Sequence, residues 1–266
     1  MRLLEIKDIE EKMAGKAQAY AQGQPFPHIV IDNFLPDEIY QAICNAFPGP
    51  EADFWDRYAY GYQTKLACNK VHLLPPILRS TLQTLNSGGF LEVIENMTGE
   101  KNLISDPHFV GGGIHQIERG GKLSVHADFT EPPHYKVFRR LNLLIYLNPD
   151  WKPEHGARFE LWDKAGKEKC KEVEPLGNRC VVFTTTAHSF HGHPDPLAGP
   201  VNNTRRSLAL YYYQLEQPEN HAGVITRWSK KESKQAGLIA RMRNSLSRVF
   251  WWFSYKLAGI AGRIDT

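Results

Sequence analysis

Between residues 103 and 214 the chain reads as a series of short apolar runs, and this constrains its fold more than any other feature. The runs span 103–110, 112–118, 122–127, 137–147, 157–162, 179–186 and 204–214. Turn-forming residues fill the gaps, among them Gly120-Gly121, Pro132-Pro133, Asn148-Pro149-Asp150, Pro175-Leu176-Gly177-Asn178 and His193-Pro194-Asp195-Pro196. Glycine and proline at these points interrupt any continuous helix, and the runs are too short for helices of ordinary length. Many short strands with tight connections argue for an antiparallel sandwich or barrel.

The flanks have a different period. Leu3, Ile6, Ile9, Met13, Ala17 and Tyr20 fall three or four apart, which predicts one amphipathic helix over 3–20. A strand is expected at His28-Ile-Val-Ile-Asp-Asn-Phe, followed by a helix opened by Leu35-Pro36-Asp37-Glu38, with proline and acids in its first turn. A further helical stretch over 77–98 is broken by Gly88-Gly89. The chain is therefore expected to be α+β with a mainly β core. Residues 1–102 form a packing region, 103–216 the core and 217–266 a helical extension, all in one structural unit.

Composition excludes several classes. A net charge of +3 gives no bias toward polyanions, so no nucleic-acid partner is expected. Cys44, Cys68, Cys170 and Cys180 are scattered, with no CxxC pair, which suits a reducing compartment. No apolar run approaches the ~20 residues that span a bilayer. The first dozen residues are interrupted by charges and lack the apolar core of a signal peptide. A cytoplasmic location is the expectation.

The chemistry is concentrated in three places. In Leu123-Ser-Val-His126-Ala-Asp128-Phe129 an imidazole and a carboxylate stand two apart, so on an extended strand both project from one face toward a single small object. A divalent metal is the obvious candidate. Downstream, the apolar run from Cys180 ends in a polar turn holding His188, His191 and His193, any of which could approach the same ion. The strand that follows carries Arg205, Ser207, Ala209 and Tyr211 on one face and Arg206, Leu208, Leu210 and Tyr212 on the other. An arginine at the start of a core strand is costly to bury alone and implies an anionic partner, for which a carboxylate offers matching two-pronged geometry.

His126-x-Asp128, His191 some 65 positions on and Arg205 fourteen beyond it together resemble the Fe(II)- and 2-oxoglutarate-dependent dioxygenases, in particular the prolyl 4-hydroxylase-like branch. The resemblance covers roughly residues 105–215, and Phe26 to Phe47 look like the strand and helix that precede the core in that branch. Arg140-Leu-Asn142-Leu-Leu-Ile-Tyr146 is similar to the branch's strand after the first ligands. Gly156-Ala-Arg-Phe-Glu-Leu-Trp is similar to its Gly-Gly-x-Leu-x-Leu strand, with Ala157 in place of the second glycine.

The resemblance implies a double-stranded β-helix of the jelly-roll or cupin-like kind. It also implies a facial triad of His126, Asp128 and His191 on Fe(II). It selects His191 over His188 and His193, with Phe183 at the family spacing, and Arg205 over Arg206, with Ser207 and Tyr211 following in pattern. Arg205 and Tyr146 are then expected to hold the tail of 2-oxoglutarate. The implied reaction uses O2, decarboxylates 2-oxoglutarate to succinate and hydroxylates an unactivated C–H bond of an organic substrate. Asp128, being a carboxylate, occupies the position that is small in halogenating relatives. The competing expectation is a non-catalytic cupin-like metal or small-molecule binder.

The remaining polar and aromatic residues carry weaker expectations. His28, His72, His108 and His221 read as surface or satisfied core residues, and His115 or Gln116 as a pocket wall. His134 and His155 read as mouth loops, Asn142 as inward-facing, and His193 as supporting or solvent-facing. Loops over 52–75 and 129–137 are expected to govern the substrate, which is either a small molecule or a peptidyl residue. Leu238, Ile239, Met242, Leu246, Val249, Phe250, Phe253 and Leu257 predict a basic amphipathic helix over 234–257, suited to packing, homodimer contact or a membrane surface.

Overall fold

Along residues 138–146 successive side chains part to two faces, and both faces are buried. Leu141, Leu143 and Ile145 join the main apolar core, whereas Leu144 and Tyr146 belong to a second, interior cluster. A strand covered on both sides reads as a continuous apolar run, as this one does. The computed structural model describes residues 2–132, 136–217, 223 and 225–229. The expected helix over 234–257, together with His134 and His221, lies outside the described residues.

The described strands are β1 (His28–Ile31), β2 (Asp56–Tyr60), β3 (Gln63–Cys68), β4 (Ile104–Ser105), β5 (Gly113–Ile117), β6 (Leu123–Ala127), β7 (Phe138–Tyr146), β8 (Phe159–Trp162), β9 (Lys169–Val173), β10 (Arg179–Thr184), β11 (His191–His193), β12 (Arg205–Gln214) and β13 (Arg227–Trp228). They form a sheet in the order β1-β10-β7-β12-β5-β3-β6-β11-β8-β9, with β2 added on β3, β4 on β12 and β13 on β6. The sheet curls on itself. Phe159 of β8 and Phe183 of β10 are far apart in this order, yet their rings lie 5.5 Å apart across the interior. This is the mainly β, double-stranded β-helix architecture expected from the resemblance.

Among the described residues five α-helices, α1 (Ile6–Met13), α2 (Ala17–Ala21), α3 (Asp37–Ala46), α4 (Pro76–Leu85) and α5 (Gly88–Thr98), accompany it. Their buried faces, including Ile39, Ile43, Leu78, Leu82, Phe90 and Ile94, join the outward residues of β7, β10 and β12 in one core. Fully burying each such side chain contributes roughly 1.5–3 kcal/mol. The single helix expected over 3–20 is two, because Gly15 at φ +70 turns the chain between them. Likewise the stretch over 77–98 divides, and Ser87 caps α5 by accepting from the Phe90 amide, so Gly88 opens a helix where a break was expected.

The segment expected as loop over 52–75 contains the β2–β3 hairpin. β3 inserts between β5 and β6, so residues upstream of 103 help to close the sheet around its interior. Gly113 sits at this seam with φ +90, and a Cβ there would meet the Cys68 carbonyl oxygen at 2.1 Å, so only glycine lets the strands approach this closely.

Candidate active site

β6 and β11 lie side by side, and their register places His191 directly opposite His126. Asp128 follows one residue after β6 ends. The two imidazole rings are 4.5 Å apart, Asp128 Oδ1 is 3.3 Å from His126 Nε2, and Asp128 Oδ2 is 3.5 Å from His191 Nε2. One ligand-type atom from each of the three residues falls within 4.8 Å of the others, a spacing that could hold a metal ion.

The tautomers suit that role. His126 Nδ1 is 2.8 Å from the Ser124 carbonyl and His191 Nδ1 is 2.9 Å from the Ser189 carbonyl. A carbonyl only accepts, so each Nδ1 carries the proton and each Nε2 presents a lone pair to the carboxylate side. Burial, and then the neighbouring His126, push His191 down to about 4, so it stays neutral at ordinary pH.

Asp128 is held from behind. Burial pushes its carboxyl up, but Arg139, His126 and His191 together outweigh burial and hold it well below the usual carboxylate range. Arg139 Nη1 lies 3.4 Å from Asp128 Oδ2, and Asn142 donates to the same oxygen at 2.7 Å. Asn142 Oδ1 in turn accepts from the Thr185 hydroxyl at 3.0 Å, which fixes the orientation of the amide. The Arg139 guanidinium is stacked 3.2 Å over the Tyr211 ring and 5.0 Å from the Phe129 ring centre.

Deeper in the pocket, Arg205 is 5% exposed, its Nη2 donates to the Tyr146 hydroxyl at 3.3 Å, and its Nε has no partner. A buried guanidinium with a neutral partner and an unused donor is a costly arrangement, and a carboxylate arriving from the pocket would satisfy it. The donor set therefore fits both a divalent metal and a carboxylate-bearing cofactor. His126, Asp128, His191, Arg139, Asn142 and Arg205 line one cavity of about 300 Å³.

A family model described as 2OG-Fe(II) oxygenase superfamily matches residues 112–250, more than half of the chain. The chain belongs to the 2OG-Fe(II) oxygenase superfamily. Membership makes it a 2-oxoglutarate-dependent dioxygenase, uses Fe(II), 2-oxoglutarate and O2 as the family does, and displaces the non-catalytic binder expected as an alternative.

Solved structures share the fold at low identity. A prolyl 4-hydroxylase from Phytophthora capsici is 16% identical with a TM-score of 0.54, covering 91% of this chain and 77% of that one. A prolyl-4-hydroxylase from Pseudomonas putida is 15% identical with a TM-score of 0.50, covering 79% of this chain and 99% of that one. HygX from Streptomyces hygroscopicus, solved with nickel and 2-oxoglutarate bound, is 10% identical with a TM-score of 0.50, covering 77% of this chain and 94% of that one. Comparison with curated proteins gives no match.

In this oxygenase the residues singled out by sequence fall into three groups. His126, Asp128, His191 and Arg205 line the pocket, Tyr146 is bonded to Arg205 without lining it, and Asn142 faces inward as expected. Arg206 turns away, its guanidinium 5.4 Å from the Phe47 ring centre, and His188 is exposed with Nδ1 3.2 Å from the Lys164 carbonyl.

Two expectations are corrected. Of the two places expected for His193 the solvent-facing one is excluded, since it is 2% exposed and lines the pocket with both ring nitrogens unpartnered. His155, expected in a mouth loop, is buried against Trp151 and bonded to Asn203.

Sequence reasoning missed Arg139, Lys65 and Trp228, which also line the pocket. Simple alternation on β7 places Arg140, not Arg139, on the face of Asn142 and Tyr146. The ladder with β12 shifts by one residue there, Tyr212 pairing Leu141 and Tyr213 pairing Arg139, so Arg140 is the extra residue. The bulge exchanges the faces: Arg139 turns in to Asp128, and Arg140 turns out to a two-pronged pair with Glu100 at 2.9–3.1 Å.

Proposed function

We propose that this oxygenase hydroxylates an unactivated C–H bond of an organic substrate, with His126, Asp128 and His191 as the ligands of Fe(II) and with Arg205 and Tyr146 binding the C5 carboxylate of 2-oxoglutarate. The observation that carries the reading is the meeting of two Nε2 lone pairs and one carboxylate within 4.8 Å, each imidazole held by a carbonyl behind it. Bound Fe(II) and 2-oxoglutarate supply the oxidative chemistry, in which decarboxylation to succinate accompanies oxygen insertion.

The chain's own residues position and exclude. Asn142 and Arg139 orient Asp128, so that the carboxylate meets the metal without rearranging. Phe159 and Phe183 pack on His191, and Trp228 lies 5.2 Å from His126, an apolar surround that limits water at the ligands. Arg205, already ordered by Tyr146, receives the cofactor tail at little further entropic cost. Support for an organic substrate, small or peptidyl, comes from the superfamily and from the cavity's size.

Two measurements test this. Anaerobic addition of Fe(II) and 2-oxoglutarate should give a weak visible charge-transfer band, and a colourless mixture would reject the cofactor assignment. Succinate release across a panel of small and peptidyl substrates should depend on His126, and release that persists in His126→Ala would reject the ligand assignment.

A further inference from the structure

After the metal and cofactor assignments are made, the pocket still holds cationic charge that nothing answers. Three cationic side chains line it: Lys65, Arg139 and Arg205. The lining carboxylates are Asp56 and Asp128, and Asp56 is already paired with Lys70 at 3.1 Å. On the reading above, the two negative charges of Asp128 and the cofactor's C1 carboxylate offset a divalent metal, and the C5 carboxylate offsets Arg205. Lys65 is left without a counter-charge, and Arg139 shares the single charge of Asp128 with the metal.

Both have free donors. Arg139 is 1% exposed, and its Nε and Nη2 have no partner. Among the described residues, the Lys65 side chain makes no hydrogen bond or ion pair, and its contact is with the Tyr58 ring, 5.5 Å from the ammonium. The surroundings are crowded enough that burial pushes the ammonium down to about 8. Lys65 stands on β3, which β5 separates from the Arg205 strand β12, and its ammonium lies over Tyr58 of β2, the strand on the other edge of β3. The ammonium is thus set apart from the position assigned to the cofactor tail.

We infer that Lys65, with Arg139 beside it, forms a second anion-binding position, and that the substrate carries an anionic group, carboxylate or phosphate, close to the bond that is oxidised. The inference rests on the oxygenase reading above. An ammonium on a flexible stem accepts either anion as a point charge, and the stacked Arg139 fork adds direction. The position lies on the β2–β3 hairpin, next to the metal-ligand carboxylate. An anion held there would anchor the substrate near the residues that would hold the iron rather than at the Arg205 end.

The test uses the anaerobic protein loaded with Fe(II) and saturating 2-oxoglutarate, with inorganic sulfate as the probe and titration calorimetry as the readout, ionic strength being held with chloride. Loading is verified by the charge-transfer band. Sulfate should bind the loaded wild type, and Lys65→Met should weaken it roughly tenfold or more, the loss of one charge-assisted contact. Lys65→Arg should recover most of the loss, and 2-oxoglutarate affinity should stay within about twofold in both variants, which would show them folded.

Absence of sulfate binding with the band present, or equal binding in Lys65→Met, overturns the anion position and leaves the oxygenase reading standing. A weakened 2-oxoglutarate affinity in Lys65→Met overturns it too, by assigning Lys65 to the cofactor. Absence of the band overturns the cofactor reading and the inference together.

Discussion

Arg139 and Asp128 form a buried ion pair, Nη1 to Oδ2 at 3.4 Å, in which the arginine holds the carboxylate that the metal is proposed to take. Removing one member of a buried pair costs about 3–5 kcal/mol, because the other is left charged and dry. The metal-free Arg139→Met protein should lose stability on that scale in urea. Saturating Mn(II) should restore more stability to the variant than it adds to the wild type, since the ion replaces the missing cation. Equal stabilisation of both proteins would mean that Asp128 is not a ligand.

Asn142 tests orientation rather than charge. Its amide joins Asp128 to the Thr185 hydroxyl, and Asn142→Leu removes a donor from the first and an acceptor from the second. Metal affinity should fall by about 10–100-fold, as it does when ligands lose their supporting bonds. Mn(II) titration followed by thermal shift reads this. His126→Ala should abolish the shift, while His188→Ala, at an exposed position, should leave it unchanged.

The proposed partner of the cofactor tail is Arg205. A charge-assisted contact contributes about 1.5–3 kcal/mol, so Arg205→Met should raise the KM for 2-oxoglutarate by roughly 10–150-fold. Tyr146→Phe removes a neutral hydroxyl and should raise it by about fivefold. The metal-free Arg205→Met protein should be no less stable than wild type, because burial is the main influence on this guanidinium and depresses its pKa. A KM that does not move would place the tail elsewhere.

Lys65 should leave a signature in the pH dependence of stability. Burial pushes its ammonium down to about 8, below the ordinary lysine value of 10.5 expected of the unfolded chain. Below pH 8 both states are protonated, and the folded state bears the cost of a crowded charge. Between those two values the unfolded chain retains a proton that the folded one has released, so stability from this group rises with pH. Metal-free Lys65→Met should therefore exceed wild type in stability at pH 7, with the gap narrowing through pH 9 and 10. A gap independent of pH would mean that the ammonium is solvated in the folded protein.

Much of the architecture was legible because strand and helix periods differ. The β5, β6, β7, β10 and β12 runs stood out by their length and their glycine and proline boundaries. β11 did not, since His191-Gly192-His193 has no apolar pattern and becomes a strand only by lying between β6 and β8. β9, the charged stretch Lys169–Val173, is an edge strand whose exposed residues give no inward signal. The β2–β3 hairpin resembled a loop because its aromatic and charged residues alternate between pocket and solvent.

By itself the sequence placed His126 and Asp128 on one face, because a strand repeats every two residues, and the same rule put Arg205 and Arg206 on opposite faces of β12. The resemblance already named His191, but only the tertiary structure shows how that imidazole is brought opposite His126, which arginine stands behind Asp128, and that Lys65 reaches the pocket. The first depends on β11 pairing with β6 across 65 residues, the second on a bulge that inverts the faces of β7, and the third on β3 inserting between β5 and β6. Local periodicity propagates along one strand, whereas pairing register and bulges are set by long-range packing, which no short stretch of sequence encodes.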